Sequence, residues 1–177
     1  FIVGNVEGEP ALAGIGATTS IYNLFVTVIT GFTSGLSVLA AQRYGMGEEG
    51  SITRILSSYS VLLGGIFAAI ALAGALLTDW ILAALDTPGD IFAHAESYLR
   101  ILFIGVPFLA VYNTYGAVLR GLGNSRAPFL AVLVCSAANV ALDLVFVAGL
   151  GYGAAGAAIA TVLAPAAMTV FMVAYTV

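Results

Sequence analysis

Residues 127–149 read APFLAVLVCSAANVALDLVFVAG, an apolar run with one ionisable side chain, Asp143, and with Asn139 one helical turn before it. A helix of that length, at about 1.5 Å per residue, crosses the ~30 Å hydrocarbon core of a bilayer. The uncharged part alone, residues 127–142, is too short, so the acid has to lie inside the span. An ionised carboxylate at mid-bilayer costs roughly 2.5–3.5 kcal/mol on insertion scales, and one retained there is by default an ion or proton site.

The rest of the chain has the same character. Charged residues make up 8% of the 177 positions and hydrophobic residues 61%, where a soluble domain carries about 25% charged residues. Lys is absent, and uncharged stretches run between Glu9 and Arg43, from Ile55 to Thr78, from Ile101 to Leu119 and from Leu144 onward. Their continuous apolar character fits helices, since barrel strands alternate over about ten residues. The expected fold is therefore all-α, a polytopic transmembrane helix bundle of about five spans at 11–41, 52–78, 94–119, 127–149 and 154–176. Residues 1–177 are read as one transmembrane domain. Phe1-Ile2-Val3-Gly4 reads as the end of a preceding helix, so an internal segment of a longer protein is expected, and no basic segment suggests a signal peptide.

Glycine-rich connectors separate the spans: Gly45–Gly50, Asp86–Asp90, Gly121–Ser125 and Gly149–Gly153. Arg43 and Arg54 flank the first, and Arg120 and Arg126 the third, so the loops near 45 and 123 are expected on the cytoplasmic side of the cell membrane. Arg100 breaks this pattern and is read as snorkelling to the interface. Lipid is the expected surrounding, and no basic patch exists to hold nucleic acid. Gly31 with Gly35, Gly149 with Gly153, and Ala157 with Thr161 form small-residue pairs suited to helix packing. Asn23, Thr27, Thr30, Ser34 and Ser37 make a polar stripe that faces either another helix or a wet cavity.

The chemistry is expected on the last two spans. Asn139 and Asp143, at i and i+4, project from one helical face. The next span runs back antiparallel and carries Thr161 four residues before Pro165, whose missing N–H frees the Thr161 carbonyl. Counting from the connecting turn puts Asp143 and Thr161 at similar depth, roughly 9–12 Å in. A carboxylate, an amide oxygen, a hydroxyl and a free carbonyl form a hard-oxygen nest for Na⁺ or H⁺; the alternative is that Asp143 reaches the headgroups or bonds only Asn139. Pro107 is expected to kink its helix and free the Phe103 carbonyl, either for shape or as a gate. Tyr98, Tyr112 and Tyr115 are belt or cavity residues, Cys135 a small core hydrophobe, and lone His94 no metal ligand. No metal site and no cofactor beyond the coupling ion is expected.

Several pieces, in order, resemble the multidrug and toxic compound extrusion (MATE) transporters. They are Phe1-Ile2-Val3-Gly4, Ala11-Leu12-Ala13, Ala41-Gln42 with Gly45, Tyr98-Leu99-Arg100-Ile101, Gly105, Pro107-Phe108 and Leu119-Arg120-Gly121 with Gly123, Arg126 and Pro128. Asn139 with Asp143, Gly149-Leu150-Gly151, Gly156-Ala157-Ala158 and Ala160-Thr161 follow. The resemblance implies helices two to six of a twelve-helix exporter, most of its N-terminal lobe, with the C-terminal lobe as its missing partner. It implies antiport: Na⁺ or H⁺ enters as small amphipathic, often cationic, drugs leave. It also implies a cation site at Asn139, Asp143 and Thr161, completed by an Asp on the first helix.

Three other membrane classes compete. A lipid-linked oligosaccharide flippase of the same superfamily would line its cavity with Arg or Lys, whereas every Arg here lies at a span end. A scaffold subunit would leave Asp143 an unexplained cost. An intramembrane aspartyl protease needs two embedded Asp residues and only Asp143 qualifies, so no enzyme is expected.

Overall fold

The computed structural model describes residues 9–176, so the expected helix end at Phe1–Gly4 lies outside the described residues. The chain forms α1 (Glu9–Gly45), α2 (Glu49–Leu76), a short α3 (Thr78–Ala84), α4 (Gly89–Gly121), α5 (Arg126–Asp143) and α6 (Gly153–Thr176). A π-helical segment, Leu144–Gly149, continues α5 without a break. Among the described residues, five helices are long and apolar enough to cross a membrane: 15–45, 50–76, 89–121, 126–149 and 153–176. The third starts earlier than its uncharged stretch, because Pro88, with φ −57°, opens α4 and Asp90 sits favourably in its first turn.

α4 is the axis of the bundle. It packs against α1 and α2 on one flank and α6 on the other, while α5 leans mainly on α6. Ile29, Leu63, Phe67, Leu82, Leu99, Phe103 and Val106 form the largest core cluster, and Phe25 meets Phe103 edge to face at 5.6 Å. Small residues allow the close approaches: a Cβ on Gly74 would lie 2.5 Å from the Phe103 ring, and one on Gly105 would lie 2.9 Å from Val162. Tyr44, Ile52, Leu122 and Thr176 line one groove, so the α1–α2 and α4–α5 connectors share an end of the bundle with the end of α6.

The outward surface is apolar. Leu24, Phe32, Val61, Leu62, Leu72, Ile104, Val134 and Val140 are all exposed, an arrangement a soluble monomer does not tolerate but a bilayer does. This is a multi-pass membrane protein.

Four features singled out in the sequence take the following places. Gly31 and Gly35 pack against no described residue, since a Cβ on either would find open space. The α1 stripe above them is equally uncovered, and Thr27, Thr30 and Ser34 turn their hydroxyls back onto Asn23, Val26 and Thr30 carbonyls. Arg100 is no stray cation, because it pairs at 3.1 Å with both Asp79 of α3 and Glu96. Pro107 lies inside an uninterrupted α4 and lines an apolar groove with Ala68, Ala71, Leu72 and Ala75 of α2. That places it on a different face from the residues expected to hold a cation.

Candidate functional site

A cleft of about 390 Å³ opens between α4, α5 and α6. Asn139, Ser136 and Cys135 line it from α5, Thr161, Pro165 and Met168 from α6, Leu109 and Tyr112 from α4, and Tyr22 from α1. Asn139, Thr161 and Pro165, three of the residues singled out by spacing, thus share one wall system. Pro107 does not reach it.

Asp143, one turn beyond Asn139, is only partly exposed, and its Oδ1 is buried with no hydrogen-bond partner among the described residues. A buried polar atom without a partner is costly and rare in folded proteins. Here it belongs to the one carboxylate of the span 126–149, whereas Glu96 of the span 89–121 is paired with Arg100. Tyr98 of α4 joins the two arms of the site, since its phenol lies beside the Thr161 hydroxyl and within electrostatic reach of Asp143. Sequence reasoning left Tyr98 between belt and cavity, and its helical face is what decides. Tyr98, Gly105, Leu109, Tyr112 and Gly116 recur along one side of α4, the side that meets α6. Tyr115 bridges two clusters, that of Leu36 and Val118 and that of Tyr112 and Met172.

The Thr161 hydroxyl donates to the Ala157 carbonyl at 2.8 Å, which leaves the lone pairs of its oxygen available as acceptors. Pro165 stands inside α6 and cannot donate to the Thr161 carbonyl. Thr169, one turn further, has its Oγ1 2.8 Å from the Phe108 carbonyl and 2.9 Å from that of Pro165, tying the proline turn to α4. The groups gathered here are oxygen acceptors, and no group of three or more His, Cys, Asp or Glu side chains clusters among the described residues. Outside the spans, Arg43 bonds Glu48 at 2.6 Å and holds its carboxyl below the ordinary carboxylate value.

Comparison with known proteins places this architecture. The MatE family profile matches residues 1–145. The chain belongs to the MatE family. It is 32% identical over 180 residues to the probable multidrug resistance protein YoeA of Bacillus subtilis, covering 98% of this chain and 38% of that protein. It is 31% identical to the probable multidrug resistance protein YpnP of the same organism, covering 91% of this chain and 36% of that protein. The chain spans less than two fifths of the length of these curated relatives. Among solved structures, it matches the inward-facing conformation of a multidrug resistance MATE family transporter of the MOP superfamily with TM-score 0.91 at 24% identity, covering 98% of this chain and 40% of that one. The outward-facing conformation of such a transporter gives the same TM-score of 0.91 at 24% identity, covering 99% and 39%. These likenesses show the fold.

Proposed function

We propose that this chain is most of one lobe of a two-lobe exporter that expels amphipathic drugs against inward flow of Na⁺ or H⁺. The observation that carries the reading is the buried Oδ1 of Asp143, without a hydrogen-bond partner among the described residues and within electrostatic reach of Tyr98, whose phenol also meets Thr161. A carboxylate in that state is relieved by a cation or a proton, and both are coupling ions. Asn139 would supply an amide oxygen, and Thr161 its hydroxyl oxygen and the carbonyl that Pro165 leaves free. The relatives' printed names, multidrug resistance proteins, support drug export.

Occupancy neutralises the acid, which favours whichever packing buries it most completely. An ion shifts the conformational balance only by its differential affinity for the two states. The equal likeness to inward- and outward-facing relatives supports a lobe that moves as one body. The exposed α1 stripe, with Gly31 and Gly35, would then face the other lobe across the substrate path. The loops near 45 and 123 would lie in the cytoplasm, since they hold four of the five Arg residues, while Arg100 on the other side is neutralised by Asp79 and Glu96. The cleft lining is neutral and part aromatic, which suits amphipathic drugs better than lipid pyrophosphates.

The test is flux in proteoliposomes holding the full-length transporter. An imposed inward Na⁺ or proton gradient should drive export of an amphipathic fluorescent cation, and collapsing the gradient should stop it. Export that runs equally fast without either gradient would overturn the coupling. Failure to move any such cation would overturn drug export.

A further inference from the structure

We propose that Gly156 is a positioning residue for Asp143, acting through the π-helical turn that separates them. The inference rests on the reading of Asp143 as the ion site. The π-turn begins at Leu144, directly after Asp143, and ends at Gly149. Its bonds are wide: the Leu150 N–H donates to the Val145 carbonyl and the Tyr152 N–H to the Phe146 carbonyl, both at 2.9 Å. Such turns carry extra residues relative to an α-helix and concentrate at functional sites.

The geometric consequence is rotational. Each residue of an α-helix turns the chain by about 100°, so inserting or removing one residue re-aims everything on one side of it. Beyond the turn, Gly153, Ala154, Gly156, Ala157, Ala158 and Ala160 are buried and fix the start of α6. Before it, α5 has to present Asn139 to the cleft and Asp143 towards Tyr98. The π-turn is what lets both ends keep their docking.

Gly156 is the part of α6 that accommodates it. A Cβ there would lie 3.1 Å from the Phe146 carbonyl oxygen, 3.2 Å from its carbon and 3.0 Å from the Tyr152 Cβ. The crowding atoms are mostly backbone of the π-turn itself, so they cannot swing aside like the end of a side chain. The Phe146 and Tyr152 rings, stacked at 6.4 Å and 7°, clasp the same turn from outside. A side chain at position 156 therefore pushes on the turn, and the turn passes that push to Asp143.

The experiment uses the full-length transporter and follows carbodiimide modification of Asp143 by peptide mass spectrometry as a function of pH. Gly156→Ala and the stronger Gly156→Val are compared with deletion of Val145, an exposed residue within the turn. Each is expected to change the labelling rate about fivefold or more and to move the pH of half-labelling by about one unit. Because deletion removes the carbonyl crowding at position 156, Gly156→Ala should add little in the deletion background, a non-additivity expected of coupled sites. Unchanged labelling profiles in Gly156→Val and the deletion, or fully additive effects, would overturn the proposal. Labelling reports the aim of Asp143 whether or not the acid couples transport, whereas undiminished ion-driven export by Asp143→Asn would overturn the ion site alone.

Discussion

Gly121→Ala tests the packing that holds the bundle together. Gly121 ends α4 against α1, and a Cβ there would lie 2.4 Å from the Ser37 carbonyl oxygen, 3.1 Å from the Ala40 Cβ and 3.3 Å from the Ala41 nitrogen. The first distance is about 1 Å short of the 3.4 Å at which ordinary contact begins. Two of these atoms are α1 backbone, so relief requires the helices themselves to part. Overpacking of this kind costs about 1–3 kcal/mol, more than the roughly 1 kcal/mol that replacing a helical Gly by Ala otherwise gains. The full-length protein with Gly121→Ala should therefore melt several degrees lower in detergent, followed by size-exclusion fluorescence after heating. Gly65→Ala, where a Cβ meets nothing within 4 Å, should melt at or above the parent. If Gly121→Ala melted no lower than Gly65→Ala, the close approach of α1 and α4 would be wrong.

Three further outcomes follow from the same geometry. Cys135, the only cysteine, lines the cleft, so a small thiol reagent should modify it and an exported drug should slow that modification; labelling indifferent to drug would place the binding path elsewhere. Tyr98→Phe removes one neutral hydrogen-bonding group from beside Thr161 and Asp143, worth about 1 kcal/mol, and should weaken the ion dependence of export about fivefold without abolishing it; an unchanged ion dependence would remove Tyr98 from the site. Glu48, depressed by Arg43, contributes stability that is present above its unfolded value and lost only as pH falls through its lower folded value. Because the pair is exposed and screened, Glu48→Gln should leave melting unchanged from pH 8 down to about 5, and a marked loss at neutral pH would contradict this.

The five crossing helices were legible because hydrophobic length is a property of the sequence alone. Asn139, Asp143 and Thr161 stand out as candidates because an acid in an apolar run, its i−4 neighbour and a proline-freed carbonyl are local patterns, and the structure brings Asn139 and Thr161 to one cleft. Tyr98 does not, since three tyrosines share one helix and only the packing of α4 against α6 distinguishes them. The π-turn after Asp143 left no composition signal, as its residues, Leu-Val-Phe-Val-Ala-Gly, suit an ordinary helix equally well. Gly121 read as a connector residue, yet its lack of a side chain serves helix contact across a separation of eighty residues. Pro107 read as a kink serving either shape or a gate, and only the tertiary contacts show it facing α2. Arg100 broke the charge pattern until α3, which hydropathy does not flag, supplied Asp79.

In the proposed mechanism one embedded carboxylate, Asp143, couples an ion to drug export. The direct measurement is gradient-driven drug flux by full-length protein carrying Asp143→Asn, reconstituted beside the parent and beside Asp143→Glu. The amide variant should bind drug but lose its response to the ion gradient, with the glutamate variant retaining part of it. Full gradient-driven export by Asp143→Asn would contradict this mechanism.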